Sequence, residues 1–239
     1  MKFNRKILFL NLILLILISS NLAFAQGNKT ITMSGTIVDA ISHDGVTAAV
    51  IVSDETGKRI GANRSNASDG GAYTITGLYP GKNYVVEIRT QNYFKEKYQL
   101  NLANTTKYDN ISRDYIAKPI GKNVKIPLPV PPFESNKSKR RFGANDILDD
   151  YASTLINNPE VKFELQCYPD NNLNKTENKT LTEERCNTLM SYFTSHGINA
   201  LRISIKASEK TDPSNPPPSE KTAKGKKYIG STYIVVISY

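Results

Sequence analysis

Apolar positions recur along this chain at two different periods, and the change of period near Pro119 divides it. From Thr30 to about Lys118 the runs are short. Ile31-Thr-Met-Ser-Gly-Thr-Ile-Val38 alternates loosely, Ala48-Ala-Val-Ile-Val-Ser53 reads as a buried strand, and Tyr84-Val-Val-Glu-Ile-Arg89 follows the turn Tyr79-Pro-Gly-Lys82. Asp54-Glu-Thr-Gly57 and Ser68-Asp-Gly-Gly71 supply residues that tolerate positive φ, as tight connections between strands require. Several short strands at this spacing predict an all-β sandwich over residues 29–118.

Beyond Pro119 helical periods appear between strands. Val124-Lys-Ile-Pro-Leu-Pro-Val-Pro-Pro132 is a strand candidate with so many missing donors that it belongs at a sheet edge or in a linker. Ile147, Leu148, Tyr151, Ala152, Leu155 and Ile156 form one helical stripe, with Asn145 as its expected N-cap. Val161, Phe163, Leu165 and Cys167 alternate on one strand face. A second helix, expected from about Thr182, carries Cys186, Leu189, Met190 and Phe193 and ends at Gly197, with Thr180 and Glu183 at capping-box spacing. Strands at Leu201-Arg-Ile-Ser-Ile-Lys206 and Thr232–Tyr239 complete an α/β order β-α-β-α-β-β, with Ser214–Ser219 as an exposed loop. The chain of 239 residues, 39% of them hydrophobic, is long enough to bury two cores.

The first 25 residues stand outside this pattern. Lys2, Arg5 and Lys6 precede the apolar run Ile7–Ile18, and Ala23-Phe-Ala25 before Gln26 has the form of a signal-peptidase site. A cleaved signal peptide over residues 1–25 is therefore expected, with an uncleaved membrane anchor as the alternative. Later segments are not apolar enough to span a bilayer. Loss of the three basic residues takes the formal charge from +9 to +6, which suits anionic envelope polymers as neighbours and does not call for nucleic acid. The basic run Lys137-Ser-Lys-Arg-Arg141 reads either as a contact to an anionic surface or as a solvated stretch.

Ser34-Gly-Thr-Ile-Val-Asp-Ala40, Ala48-Ala-Val-Ile-Val52, Ser68-Asp-Gly-Gly-Ala-Tyr-Thr-Ile75 and Gly77-Leu-Tyr-Pro-Gly-Lys-Asn-Tyr84 resemble the carboxypeptidase regulatory-like, prealbumin-type (Ig-like) β-sandwich family. That resemblance implies a fold and no peptidase chemistry. A second resemblance covers residues 120–239. Asp170, Asn178, Leu181, Thr182 and Arg185 match, in order and spacing, the strand-end aspartate and N-x-x-L-S-x-x-R helix motif of the OmpA C-terminal-like peptidoglycan-binding family, with threonine for serine. Phe133-Glu-Ser-Asn-Lys137 is similar to its F-D-x-N-K turn, and Thr222-Ala-Lys-Gly-Lys226 to its T-x-x-G-R.

The second resemblance implies binding of the diaminopimelate end of the peptidoglycan stem peptide. Asp170 would take the ammonium and Arg185 the carboxylate, by paired hydrogen bonds and with free N–H groups near a helix start to assist. Asn178 would offer a donor and an acceptor, Leu181 and Thr182 complete the motif, and Glu134 would wall the pocket. The alternative is an Asp170–Arg185 ion pair that pins the loop. The chain departs from the family at Cys167-Tyr-Pro169, at Leu173 and at Ile229-Gly-Ser231, where the family carries G-H-T, a glycine and N-R-R. The same alignment brings Cys167 near Cys186, as a disulfide or as two small buried thiols.

Two cysteines and two histidines are too scattered for a zinc pattern, and no nucleophile triad or phosphate-cradling loop is present, so neither metal, cofactor nor enzymatic activity is expected. Two roles stand open. One is a periplasmic protein, associated with the cell wall or outer membrane, that binds peptidoglycan through residues 120–239. The other is a scaffold subunit of an outer-membrane or secretion assembly whose pocket has decayed.

Overall fold

A computed structural model describes residues 30–105, 109–218 and 227–239. The expected leader and Thr222–Lys226 lie outside the described residues. The described chain is mostly β-sheet with two α-helices, and its apolar residues gather into two clusters.

The first cluster lies between two four-stranded sheets. One has β1 (Ile31–Asp39) at its centre, with β4 (Ala72–Leu78) antiparallel on one side and β7 (Asn110–Ser112) and β8 (Tyr115–Ala117) parallel on the other. Gly35 lets β7 and β8 succeed each other along one edge: a Cβ there would stand 1.9 Å from the Arg113 carbonyl oxygen. The second sheet runs β3-β2-β5-β6, from β2 (Ala49–Asp54), β3 (Arg59–Arg64), β5 (Asn83–Arg89) and β6 (Glu96–Asn101). Val50, Val52, Val86 and Ile88 face Met33, Ile37 and Ile75 across the sandwich, as the alternation requires. Gly57, Gly70 and Gly71 do take positive φ in the turns.

The second cluster lies between a four-stranded sheet and two helices. The sheet order is β11-β10-β12-β9, from β9 (Lys125–Pro127), β10 (Lys162–Cys167), β11 (Ile203–Ala207) and β12 (Thr232–Ser238). The proline-rich β9 is an edge strand, where its missing N–H groups cost no ladder bonds. Helices α1 (Ala144–Asn157) and α2 (Lys175–Ser195) give the element order β-α-β-α-β-β. Phe163, Leu165 and Cys167 are fully buried on the helix-covered face.

Several local expectations are corrected. Asn145 does not cap α1: the helix starts at Ala144 behind Gly143 at φ 75°, and the Asn145 amide oxygen accepts from Arg140 instead, at 2.6 Å. Ile156 is exposed. α2 begins seven residues before Thr182, because Asn174 caps the N–H groups of Thr176 and Glu177. The Thr180 hydroxyl is occupied within the helix by the Thr176 carbonyl. Residues 200–202 form a 3-10 turn ahead of β11 rather than its first residues. Gly197, at φ 88°, ends α2 as expected, with Ile198 N–H reaching the Phe193 carbonyl and Gly197 N–H that of Thr194.

Candidate functional site

Helix α2 buries a continuous stripe that changes chemistry halfway. Its first half buries Asn178, Thr182 and Arg185, and its second half Cys186, Leu189, Tyr192 and Phe193. The polar half closes over the end of β10 and the loops around it. Asn178 donates to the carbonyls of Asn171 (2.7 Å) and Glu209 (3.1 Å). The Thr182 hydroxyl reaches the Ser208 carbonyl at 3.0 Å, so both residues fasten the loop after β11 to the helix.

Arg185 is the centre of the arrangement. Its side chain is 0% exposed and that of Asp170 3%. The pair is bidentate, Nη1 to Oδ1 at 2.7 Å and Nη2 to Oδ2 at 3.1 Å. The remaining N–H groups go to backbone carbonyls: Nε to Lys137 at 3.0 Å, Nη1 to Tyr168 at 3.2 Å and Nη2 to Glu134 at 3.3 Å. All five guanidinium donors are thus used by the protein itself. Asp170 is equally committed, since Gly230 N–H donates to Oδ1 at 2.8 Å and Asn136 N–H to Oδ2 at 2.6 Å.

The segment over the guanidinium is a small hairpin. Phe133 bridges to Arg140, Glu134 N–H bonds the Lys139 carbonyl, and Asn136 takes a left-handed φ of 53° that turns its N–H onto Asp170. The Phe133 ring lies 5.1 Å from the guanidinium carbon. Glu134 contributes its carbonyl to Arg185, while its carboxylate points to Lys137 at 2.7 Å and Lys139 at 3.6 Å. The Lys137 hydrogen bond holds that carboxyl below its ordinary value. The basic run is thereby partly neutralised from within.

The structure therefore brings Asp170 and Arg185 together as an ion pair, with Asn178, Thr182 and the Glu134 backbone around it. Leu181 is half-buried beside them. Arg185 does not stand at a helix start: it lies in the third turn of α2, where backbone N–H groups are already bonded. Grooves of about 560 Å3 along α2, between Arg140 and Ser191, and about 370 Å3 between Ile116 and Tyr233, lie elsewhere. Among the described residues no group of three acidic, histidine or cysteine side chains is placed to hold a metal ion. His43 sits in the turn after β1 at φ 63°, and His196 caps α2 beside Asp149.

Asn136 and Gly230 were not singled out from the sequence as site residues, and only Asn136 had a signal, its place in the Phe133–Lys137 turn. The constraint at Gly230 is visible only in the fold, where a Cβ would meet the Tyr168 carbonyl oxygen at 2.0 Å.

Cys167 and Cys186 are fully buried free thiols under this knot, so no disulfide joins them. Cys186 Sγ lies 3.3 Å from the Leu165 carbonyl oxygen. Burial, with Cys186 beside it, pushes the Cys167 thiol well above its ordinary value. Reaction needs the thiolate. Both thiols are expected to resist an aromatic disulfide reagent in the native protein at pH 8 and to react together on unfolding in guanidinium; rapid titration of either in folded material would contradict the buried pair.

No protein-family model matches the chain, and no curated protein sequence matches it. Among solved structures, a C-terminal fragment of the pilus adhesin SpaC from Lactobacillus rhamnosus GG is similar at 12% identity and TM-score 0.32, over 39% of this chain and 46% of that one. The 5-hydroxyisourate hydrolase of Klebsiella pneumoniae is similar at 17% identity and TM-score 0.30, over 38% and 92%. The dioxygenase domain of a carbohydrate-binding fusion from Streptomyces sp. SirexAA-E is similar at 16% identity and TM-score 0.30, over 41% and 84%. The chain thus covers less than half of the adhesin fragment. At this identity none of the three carries its activity over to this chain. No helix among the described residues is long and apolar enough to cross a membrane.

Proposed function

We propose that the protein is an exported, non-enzymatic component of the cell envelope. A prealbumin-type sandwich is joined to an OmpA-like unit whose ligand pocket is closed by its own ion pair. The protein serves as a scaffold or accessory subunit of an outer-membrane or secretion assembly, in the periplasm. The observation that carries this reading is the saturation of Arg185 and Asp170: no donor of the one and no oxygen of the other is left for a diaminopimelate carboxylate or ammonium. A ligand would have to replace at least one of these buried, charge-assisted bonds, each contributing about 1.5–3 kcal/mol.

The rival reading, noncovalent anchoring to peptidoglycan, keeps one specific support. Asp170, Asn178, Leu181, Thr182 and Arg185 stand at the family's spacing, and the hairpin closing the site is joined to it largely through backbone groups that could swing out with residues 134–137.

Sedimentation with purified sacculi separates the two. The chain from Gln26 onward is expected to stay in the supernatant to the same extent as an unrelated control protein. Co-sedimentation that free diaminopimelate competes away would replace the scaffold reading with the anchoring one.

A further inference from the structure

The two units meet through a buried polar cluster that neither resemblance accounts for. Glu96, the first residue of β6, is 2% exposed, and so is Lys118, just after β8. Lys118 Nζ lies 3.1 Å from Glu96 Oε1 and 2.8 Å from Asp150 Oδ2 on α1. The Thr154 hydroxyl of α1 lies 2.9 Å from Glu96 Oε2. One turn further on, Asn158 clamps the backbone of Lys95 in both directions, accepting from its N–H at 3.0 Å and donating to its carbonyl at 2.9 Å. Phe94, from the segment before β6, is buried in the core of the second unit.

We infer that this junction is a proton-controlled latch, in which protonation of the Glu96 carboxyl tightens the docking of α1 on β6 and its ionisation loosens it. The geometry supplies one ammonium shared between two carboxylates, with the ammonium and the Glu96 carboxyl both shut away from water. Glu96 is the deeply buried one of the two, whereas the Asp150 side chain is 43% exposed. With Glu96 protonated, Lys118 retains Asp150 and the carboxyl retains Thr154, and no ion is left unpaired. The other titratable groups facing the carboxyl are Tyr98 on β6 and Tyr151 on α1, both raised above their ordinary values by burial. Lys118 also lies 5.1 Å from the centre of the Tyr151 ring.

Desolvation by burial raises the Glu96 carboxyl from 4.5 to about 7; Lys118 and Thr154 pull against this, and Asp150 adds to it. A carboxyl whose docked pKa exceeds its free value favours docking while it holds its proton. That contribution is full below about 4.5 and lost as the pH rises through about 7.

Hydrogen exchange at the Lys95 amide, which is bonded across the junction, reads the latch directly. After correction for intrinsic chemistry, its opening constant in the full chain is expected to rise at least about tenfold between pH 5 and pH 8, since the opening equilibrium changes by up to about tenfold per pH unit between the free and docked pKa of the carboxyl. Glu96→Gln, which keeps the shape of the protonated acid, is expected to flatten that dependence. A flat wild-type profile, or an unchanged slope in Glu96→Gln, would overturn the inference. Carboxyl-carbon NMR on the wild-type protein gives an independent reading: a Glu96 midpoint near 7 is expected, and an ordinary one would overturn the latch even if the variant did not fold.

Discussion

Arg185→Ala is expected to lower the unfolding free energy by about 3–5 kcal/mol, the cost of leaving one buried charge without its partner. The loss falls on the neighbours left behind. Asp170 would keep only the Asn136 and Gly230 amides, and the carbonyls of Glu134, Lys137 and Tyr168 would each lose a donor. Urea unfolding should show a lower midpoint with an unchanged slope. Arg185→Lys is expected to leave most of the loss in place, because an ammonium with three donors cannot satisfy the five acceptors that the guanidinium fork reaches. A group kept for a ligand often behaves in the opposite sense, with removal neutral or stabilising. A loss below about 1 kcal/mol would therefore remove the structural role assigned to Arg185 and reopen the pocket.

How much of this was legible in the sequence depended on whether an apolar period reported the burial. β10 was readable because Phe163, Leu165 and Cys167 alternate and all face the helices. The start of α2 was not, because its first two turns bury Asn178 and Thr182 rather than apolar side chains. Hydrophobic periodicity cannot see a stripe made of an amide, a hydroxyl and a guanidinium. Those turns are held by the Asn174 cap and by bonds to the carbonyls of Asn171, Ser208 and Glu209. The motif spacing marked Asp170 and Arg185, which the fold brings into contact. It could not tell whether Asp170 and Arg185 face a ligand or each other, since that turns on where the carbonyls of Glu134, Lys137 and Tyr168 point.

The junction between the units was invisible for a related reason. Glu96 and Lys118 are single charges at the ends of short strands, and only the approach of α1 encloses them. Thr154 sits at the border of the apolar stripe of α1, three residues after Tyr151, and nothing in the sequence shows that its hydroxyl meets a carboxylate. Phe94 is one aromatic residue in a turn, and it belongs to the core of the other unit. Reading each half by its own period therefore recovered two cores and missed the contact between them.

Gly230→Ala is expected to open the same knot from its other side. A Cβ at Gly230 would stand 2.0 Å from the Tyr168 carbonyl oxygen, 2.5 Å from its carbon and 2.6 Å from the Pro169 carbonyl oxygen. All three are backbone atoms, so no rotamer change relieves the contact; the approach to β12 must move away from the end of β10. That shift costs about 1–3 kcal/mol as overpacking. It also pulls the Gly230 amide off Asp170, where it donates at 2.8 Å. Losing that charge-assisted bond costs about 1.5–3 kcal/mol more. A total of roughly 2.5–6 kcal/mol by urea unfolding is expected. Because Tyr168 also accepts from Arg185 Nη1, the strain and the ion pair share a partner. The double variant Gly230→Ala/Arg185→Ala should then be less destabilised than the two losses added together, by at least about 1 kcal/mol. Additivity to within about 0.5 kcal/mol would mean that Gly230 and Arg185 act independently, and that the buried pair is not one cooperative knot.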